Sequence, residues 1–234
     1  MMNDYLCFES PLGKVLVCSE EGAISDLYLG REEELHESNE AVLQEAKKQL
    51  IAYFGHERKT FDVPLSIKRS VFFTKIYQEL LKVEYGKTVA YSELASRVGN
   101  PQAARAVGMA NHSNRISIIV PCHRVIGKNQ ALVGYAGGLW RKAALLALES
   151  YKEYCQELGV NQQRIYYFGL SSVPGQYRSA KQNAHWLVEK GQVTIELENQ
   201  FIELKPGDDY LIAADKKYRL QSTSWDCVLN CRYL

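Results

Sequence analysis

A chain of 234 residues, 46% hydrophobic and 24% charged, has the composition of a globular protein long enough for two or three small domains, which excludes a disordered chain. No apolar run reaches the length of a membrane span, and the N-terminus lacks the basic-then-apolar layout of a secretory signal, so a cytoplasmic protein with no membrane partner is expected. The net charge of +1 hides a basic stretch: between Tyr91 and Ser150 stand Arg97, Arg105, Arg115, Arg124, Lys128, Arg141 and Lys142, opposed only by Glu93 and Glu149. Such a stretch suits a local nucleic-acid footprint or an ordinary solvated face.

Residues 4–30 alternate apolar and polar positions around turn signals at Pro11-Leu12-Gly13 and Glu21-Gly22, the pattern of a short antiparallel meander. A helix is expected over 38–54, with Val42, Leu43, Leu50, Tyr53 and Phe54 on its apolar face and Gly55 at its end. These elements make a small α/β domain over 1–62, left through a linker at Pro64. Next, Phe72, Phe73, Ile76, Tyr77, Leu80 and Leu81 form a helical stripe that stops at Gly86. Two short helices follow, over 92–98 and 101–109. Gly99 suits the end of the first, Asn100 the N-cap of the second and Pro101 its first position. Two short helices about a tight turn are the layout of a helix-turn-helix. In the second, Ala103, Ala104, Ala106 and Gly108 leave little bulk, so its backbone can approach another surface closely; tight helix–helix packing is the alternative.

A helix is expected over 138–150, with Leu139, Ala143, Leu146 and Ala147 on one face, and 151–159 continue it or act as a linker. Beyond 161 the pattern changes to short strands at 165–170, 186–189, 192–197, 200–204, 210–212 and 227–231. Turns fall at Pro174-Gly175, Glu189-Lys190-Gly191, Glu198-Asn199 and Pro206-Gly207-Asp208. Evenly spaced short strands suggest a small all-β barrel or sandwich over 160–234.

The chemistry concentrates at Ile118-Ile119-Val120-Pro121-Cys122-His123-Arg124-Val125-Ile126-Gly127, where an apolar run leads straight into a thiol, an imidazole and a guanidinium. A thiolate is the best soft nucleophile among the side chains, and a nearby cation or His lowers its pKa. Shortly after comes Gly134-Tyr135-Ala136-Gly137-Gly138, which lets backbone approach a ligand closely. The six cysteines, Cys7, Cys18, Cys122, Cys155, Cys227 and Cys231, show neither a disulfide framework nor C-x-x-C pairs, so a reducing compartment is expected. Cys7, Cys18, His36 and His56 follow no zinc spacing, and no metal is assigned to them.

From about Arg69 to Glu149 the chain resembles the O6-alkylguanine-DNA alkyltransferases. The match takes in Gly86-Lys87-Thr88-Val89-Ala90-Tyr91, Gly99-Asn100-Pro101-Gln102-Ala103-Ala104-Arg105-Ala106-Val107-Gly108, Asn114, the Pro-Cys-His-Arg-Val segment and Glu149. The resemblance implies a DNA-binding and alkyl-transfer domain over 66–150, single-turnover transfer of an alkyl group from O6-alkylguanine in double-stranded DNA to Cys122, and no cofactor. O4-alkylthymine is a further candidate substrate. It implies that His123 helps deprotonate Cys122 through a water, that Glu149 orients His123, and that Tyr91 donates to ring nitrogen N3 of the leaving guanine. The backbone N–H of Ala136 would donate to O6, the carbonyls of Cys122 and Val125 would accept from the exocyclic amine, and Tyr135 would bound the pocket. Arg105, on the helix of Ala103, Ala104 and Gly108, would fill the space left by a flipped base, and Asn114 would tie that helix to the active-site segment. Arg115 stands where relatives often have a proline. Residues 185–191 and 204–208 resemble a cupin, with no clustered histidines for a metal and with no ligand indicated. The alternatives are a lesion-binding protein with a metabolite-sensing cupin-like module, and a cysteine hydrolase, for which no second His or oxyanion hole is evident.

Overall fold

The computed structural model describes residues 4–31, 33–127, 131–150, 154–159, 162–168, 178–179, 182–222 and 226–234. Lys128, the turn at Pro174-Gly175, the end of the expected 165–170 strand and the first residues of 151–159 lie outside them. The chain divides into two compact units, Met1–Lys142 and Ala143–Leu234.

The first unit opens with an antiparallel meander of β1 (Tyr5–Ser10), β2 (Gly13–Glu20) and β3 (Ala23–Leu29), in that spatial order. Gly13 and Gly22 take positive φ at the two turns, which is why turn signals stand there. Leu6, Val15, Val17, Ile24 and Leu27 are buried, with α1 (Ala41–Phe54) laid over the sheet through Leu43, Ala46, Leu50, Tyr53 and Phe54. Truncating a side chain as enclosed as Leu50 to alanine removes roughly 2–5 kcal/mol. The helix starts three residues later than its pattern suggests. Glu40 occupies the N-cap, but its carboxylate binds the Ser19 hydroxyl instead of a helical N–H.

The free edge of β3 holds the rest of the unit in place. Ile24 pairs with Leu65, and Leu27 pairs in parallel with Ile116: Leu27 N–H donates to the Arg115 carbonyl (2.6 Å) and Ser117 N–H to the Leu27 carbonyl (3.1 Å). The Arg115 side chain binds the buried Asp26 carboxylate, which also accepts from the Tyr28 hydroxyl at 2.7 Å. An arginine therefore serves at this turn, because β3 supplies its partner.

Helix α2 (Val71–Leu81) starts at Ser70, whose hydroxyl accepts from Phe73 N–H. The two-stranded parallel pair β4 (Val89–Ala90) and β5 (Val125–Ile126) brackets α3 (Tyr91–Arg97) and α4 (Ala104–His112). Gly99, at φ +83°, turns the chain between these helices. The second does not begin at Pro101: Ala103 N–H bonds the Asn100 carbonyl, giving a tight turn over 101–103, and α-helix starts only at Ala104. The Tyr77 hydroxyl donates to the Ala110 carbonyl at 2.8 Å and fixes α4 against α2. Helix α5 (Leu139–Ser150) spans the division between the units.

Among the described residues the second unit is all-β beyond α5. Within the expected continuation over 151–159, Tyr154–Gly159 forms not helix or linker but β6, paired antiparallel with β7 (Gln162–Phe168). The strands β8 (Arg178–Ser179), β9 (Ala184–Lys190), β10 (Val193–Leu197), β11 (Gln200–Leu204), β12 (Asp209–Ile212), β13 (Lys217–Ser222) and β14 (Asp226–Tyr233) complete two antiparallel sheets, β11-β10-β13-β8 and β12-β9-β14-β7-β6. Glu198 and Asn199 both have positive φ, making the two-residue turn that matches strand twist between β10 and β11. Trp186 and Val188 of β9 and Cys227, Leu229 and Cys231 of β14 face Ile195, Leu204 and Tyr218, with Trp186 and Tyr218 edge to face at 5.1 Å. No strand is expected from sequence at Lys216-Lys217-Tyr218-Arg219, yet Lys217 opens β13. Arg219 Nε donates to Glu196 at 2.8 Å and Lys216 to Glu198 at 2.5 Å, so both cations are held by carboxylates. His185 is on the outer face, its Nδ1 3.0 Å from Asp209. Among the described residues no group of three or more His, Cys, Asp or Glu is placed to hold a metal, and no helix is long and apolar enough to cross a membrane.

Candidate active site

The apolar run before Cys122 is a set of tight backbone turns. Ile119 N–H bonds the Ser117 carbonyl, Val120 N–H the Ile116 carbonyl and Cys122 N–H the Val120 carbonyl. Ile118 has φ +68°, a conformation that disfavours a β-branched residue by about 1–3 kcal/mol and persists where the surroundings over-determine it. Ile118, Ile119 and Val120 are buried, and their burial holds the turn. Cys122–Arg124 then form one turn of 3-10 helix leading into β5, with Cys122, His123 and Arg124 all buried. Arg124 donates to the Val83 carbonyl at 2.5 Å, so it is a structural clamp on the end of α2.

Asn114 joins this segment to α4. Its Nδ2 donates to the Val120 carbonyl at 2.8 Å and to Cys122 Sγ at 3.1 Å, while its Oδ1 accepts from Ile116 N–H at 3.0 Å. An N–H aimed at sulfur favours the thiolate. The second influence is Lys142, which the sequence reading counted only among the basic residues. It is buried in α5, and Nζ donates to the carbonyls of Val125 (2.5 Å), Val133 (2.7 Å) and Gly134 (3.4 Å). Burial lowers its pKa to about 8, and the nearby Cys122 opposes that shift. For Cys122 itself, burial pushes the thiol up, while the Asn114 amide and the Lys142 cation pull it down. The signal for Lys142 was its position: it follows Leu139 by three residues and so shares a face with the apolar stripe of α5.

Tyr91 opens α3 and is half-buried. Its hydroxyl donates to the Val133 carbonyl at 3.3 Å, its ring lies 5.8 Å from Lys142 Nζ, and a Cβ at Gly108 would come within 3.9 Å of its edge. Burial raises its pKa. The loop carrying Tyr135 and Ala136 turns at Gly134 (φ +49°) and Gly138 (φ +91°), with Ala136 exposed. Arg141, also missed from sequence, ties this loop to the N-terminal meander. It donates to the carbonyls of Gly137 and Leu12, each at 2.9 Å, and lies so close to Gly30 that a side chain there would collide with the guanidinium. On α4, Arg105 and Met109 are exposed one turn apart, Ala103, Ala104 and Gly108 are half-buried, and Val107 and Ala110 face the core. The structure thus gathers Cys122, Asn114, Tyr91 and Lys142 into one cluster. His123 and Glu149 are both buried, and the Val125 carbonyl is engaged by Lys142.

Residues 4–67 match the ribonuclease-like domain of 6-O-methylguanine DNA methyltransferase, and residues 71–151 match its DNA binding domain. The constitutive methylated-DNA–protein-cysteine methyltransferase of Bacillus subtilis (strain 168) is 47% identical over 164 residues, covering 65% of this chain and 99% of that protein. The methylated-DNA–protein-cysteine methyltransferase of Methanosarcina acetivorans is 45% identical over 151 residues, covering 62% and 97%. The chain belongs to the methylated-DNA–protein-cysteine methyltransferase family. The crystal structure of Mycobacterium tuberculosis OGT in complex with DNA is similar at TM-score 0.58 and 40% identity, over 63% of this chain and 92% of that one. This methyltransferase acts in DNA repair by moving an alkyl group onto a protein cysteine. Both matched domains end by residue 151, so most of the β unit lies beyond them.

Proposed function

We propose that Cys122 accepts the alkyl group and that the lesion is O6-alkylguanine in double-stranded DNA, with O4-alkylthymine as a second substrate. The observation that carries this reading is the buried Cys122 thiol, with Asn114 Nδ2 3.1 Å from Sγ and the buried Lys142 cation near it. In the reaction the thiolate attacks the alkyl carbon in line, the S–C bond forms as the C–O bond breaks, and guanine leaves as its conjugate base. The thioether is not hydrolysed, so each molecule acts once. His123 takes the thiol proton through a water and Glu149 orients the imidazole. Tyr91 donates to N3 of the departing base and the Ala136 N–H to O6. The carbonyls of Cys122 and Val125 receive the exocyclic amine, with Tyr135 at the wall.

The base must leave the duplex stack to reach a buried thiol. Arg105, exposed on α4 with Ala103, Ala104 and Gly108 behind it, enters the vacated space, and Asn114 keeps the helix in register with the thiol. Arg105→Ala is therefore expected to slow transfer from duplex DNA roughly 10–100-fold, the scale of a lost contribution to unstacking. Its reaction with free O6-benzylguanine should stay within about twofold, since no flipping is needed. Parallel kinetics on the two substrates check this, and equal losses on both would make Arg105 structural. Residues 1–62, 66–150 and 160–234 are read as three domains of a cytoplasmic protein, the last a cupin-like barrel without a metal. Supporting that last point, the remaining histidine of its motif, His185, faces outward onto Asp209.

A further inference from the structure

One buried polar side chain beside Tyr91 has no part in the scheme above. Asn111, near the end of α4, is buried, and both heteroatoms of its amide lack a hydrogen-bond partner. It follows Gly108, where an added Cβ would lie 3.9 Å from the Tyr91 ring, by three residues. It precedes Asn114, which reaches Cys122 Sγ, by three more, in a turn closed by Asn114 N–H on the Asn111 carbonyl. Gly108 and Asn111 share a side of α4 and Asn114 follows just past the helix end, so the Asn111 amide lies near the Tyr91 hydroxyl and three residues before the side chain that holds the thiol. Its amide is near enough to the Tyr91 hydroxyl to favour the ionised phenol, yet the two do not meet as a hydrogen bond. The hydroxyl instead makes a long bond to the Val133 carbonyl. A buried amide with neither donor nor acceptor satisfied destabilises the free protein and calls for an explanation in function.

We propose that Asn111 is a positioning residue for the leaving base, acting through Tyr91. When the Tyr91 hydroxyl turns from Val133 to ring nitrogen N3, its oxygen is left open to a donor, and Asn111 Nδ2 fills that place. Donation into the phenol oxygen strengthens its O–H as a donor, because hydrogen bonds in a chain polarise one another. The gain comes as guanine acquires negative charge, so Asn111 acts on the chemical step and not on DNA affinity. This rests on the role given to Tyr91 above.

A double-mutant cycle tests it. Single-turnover transfer from saturating O6-methylguanine duplex is measured for the full chain, Asn111→Leu, Tyr91→Phe and the double variant. Asn111→Leu should slow transfer about tenfold, the worth of one hydrogen bond, with duplex Kd within about twofold. Its Tm should not fall, because an unsatisfied amide has been replaced by an apolar side chain of similar size. In the Tyr91→Phe background the same change should alter the rate less than about twofold. Asn111→Ala must give the same cycle, which guards against an effect of leucine's shape. A wild-type rate for Asn111→Leu, or an equal loss with and without the Tyr91 hydroxyl, would overturn the proposal. Tyr91→Phe transferring at wild-type speed would instead overturn the reading of Tyr91, and this proposal with it.

Discussion

Cys122→Ala is expected to take up no alkyl group from methylated duplex DNA, at any protein concentration and on any time scale on which the wild type reacts. Attack on an alkyl carbon needs a thiolate, and no other described thiol is suited to supply one. Cys7, Cys227 and Cys231 are buried in sheet cores. Cys18 is partly exposed, but burial and the neighbouring Asp26 carboxylate raise its pKa to about 11, leaving roughly one thiolate in 10,000 at pH 7. The substitution should not unfold the protein. It strips one acceptor from Asn114, which keeps its bond to the Val120 carbonyl, and about 1 kcal/mol of stability is at stake. Intact mass after incubation with the lesion, beside a thermal melt, checks both parts.

Lys142→Met should lower the transfer rate roughly 100-fold near pH 7.5, the usual scale for removing one preorganised charge or donor from a water-poor site. Lysine here does two things that methionine cannot. Its three N–H donors gather the carbonyls of Val125, Val133 and Gly134, tying β5 to the Val133-Gly134 segment beside Tyr91. Its charge also stabilises the Cys122 thiolate. The sign of the pH dependence follows from its depressed pKa. Below about 8 the ammonium is charged and helps, and as pH rises through about 8 the charge and one donor are lost. The wild-type rate should thus climb with thiol ionisation and then level off or fall above about pH 8, while Lys142→Met lacks that upper limb. Stability shows the opposite trend. The folded pKa lies below the ordinary lysine value of 10.5, so holding the charge in the fold is a cost that is full below about pH 8 and relieved as pH rises toward 10.5. Rate against pH, with melts at the same pH values, separates the two effects.

The meander, α1 and the helix-turn-helix were legible because their signals are local. Gly13, Gly22 and Gly99 stand where the backbone needs positive φ, and the apolar stripes of α1 and α2 repeat with the helical period. What escaped depends on partners distant in sequence. The strand opening at Lys217-Tyr218-Arg219 is not among the expected ones, because the carboxylates that neutralise its neighbourhood sit on β10 and in the turn after it. The start of α4 was misplaced because Asn100 and Pro101 are as compatible with the tight turn over 101–103 as with a first helical turn. Lys142 and Arg141 read as two more basic residues. The role of Arg141 exists only once the fold brings Leu12, 129 residues away, against the active-site loop. Asn111 carried no signal at all, since an asparagine near a helix end is ordinary until its amide is seen buried and unpartnered.

The central claim, that a single cysteine receives the alkyl group once, is tested most directly by peptide mapping. The protein is mixed with excess duplex carrying one O6-methylguanine, taken to completion, digested and analysed by mass spectrometry. One methyl per chain, carried on the peptide containing Cys122, with one lesion repaired per protein, is the expected result. A methyl on any other cysteine, or repair continuing beyond one lesion per chain, would contradict it.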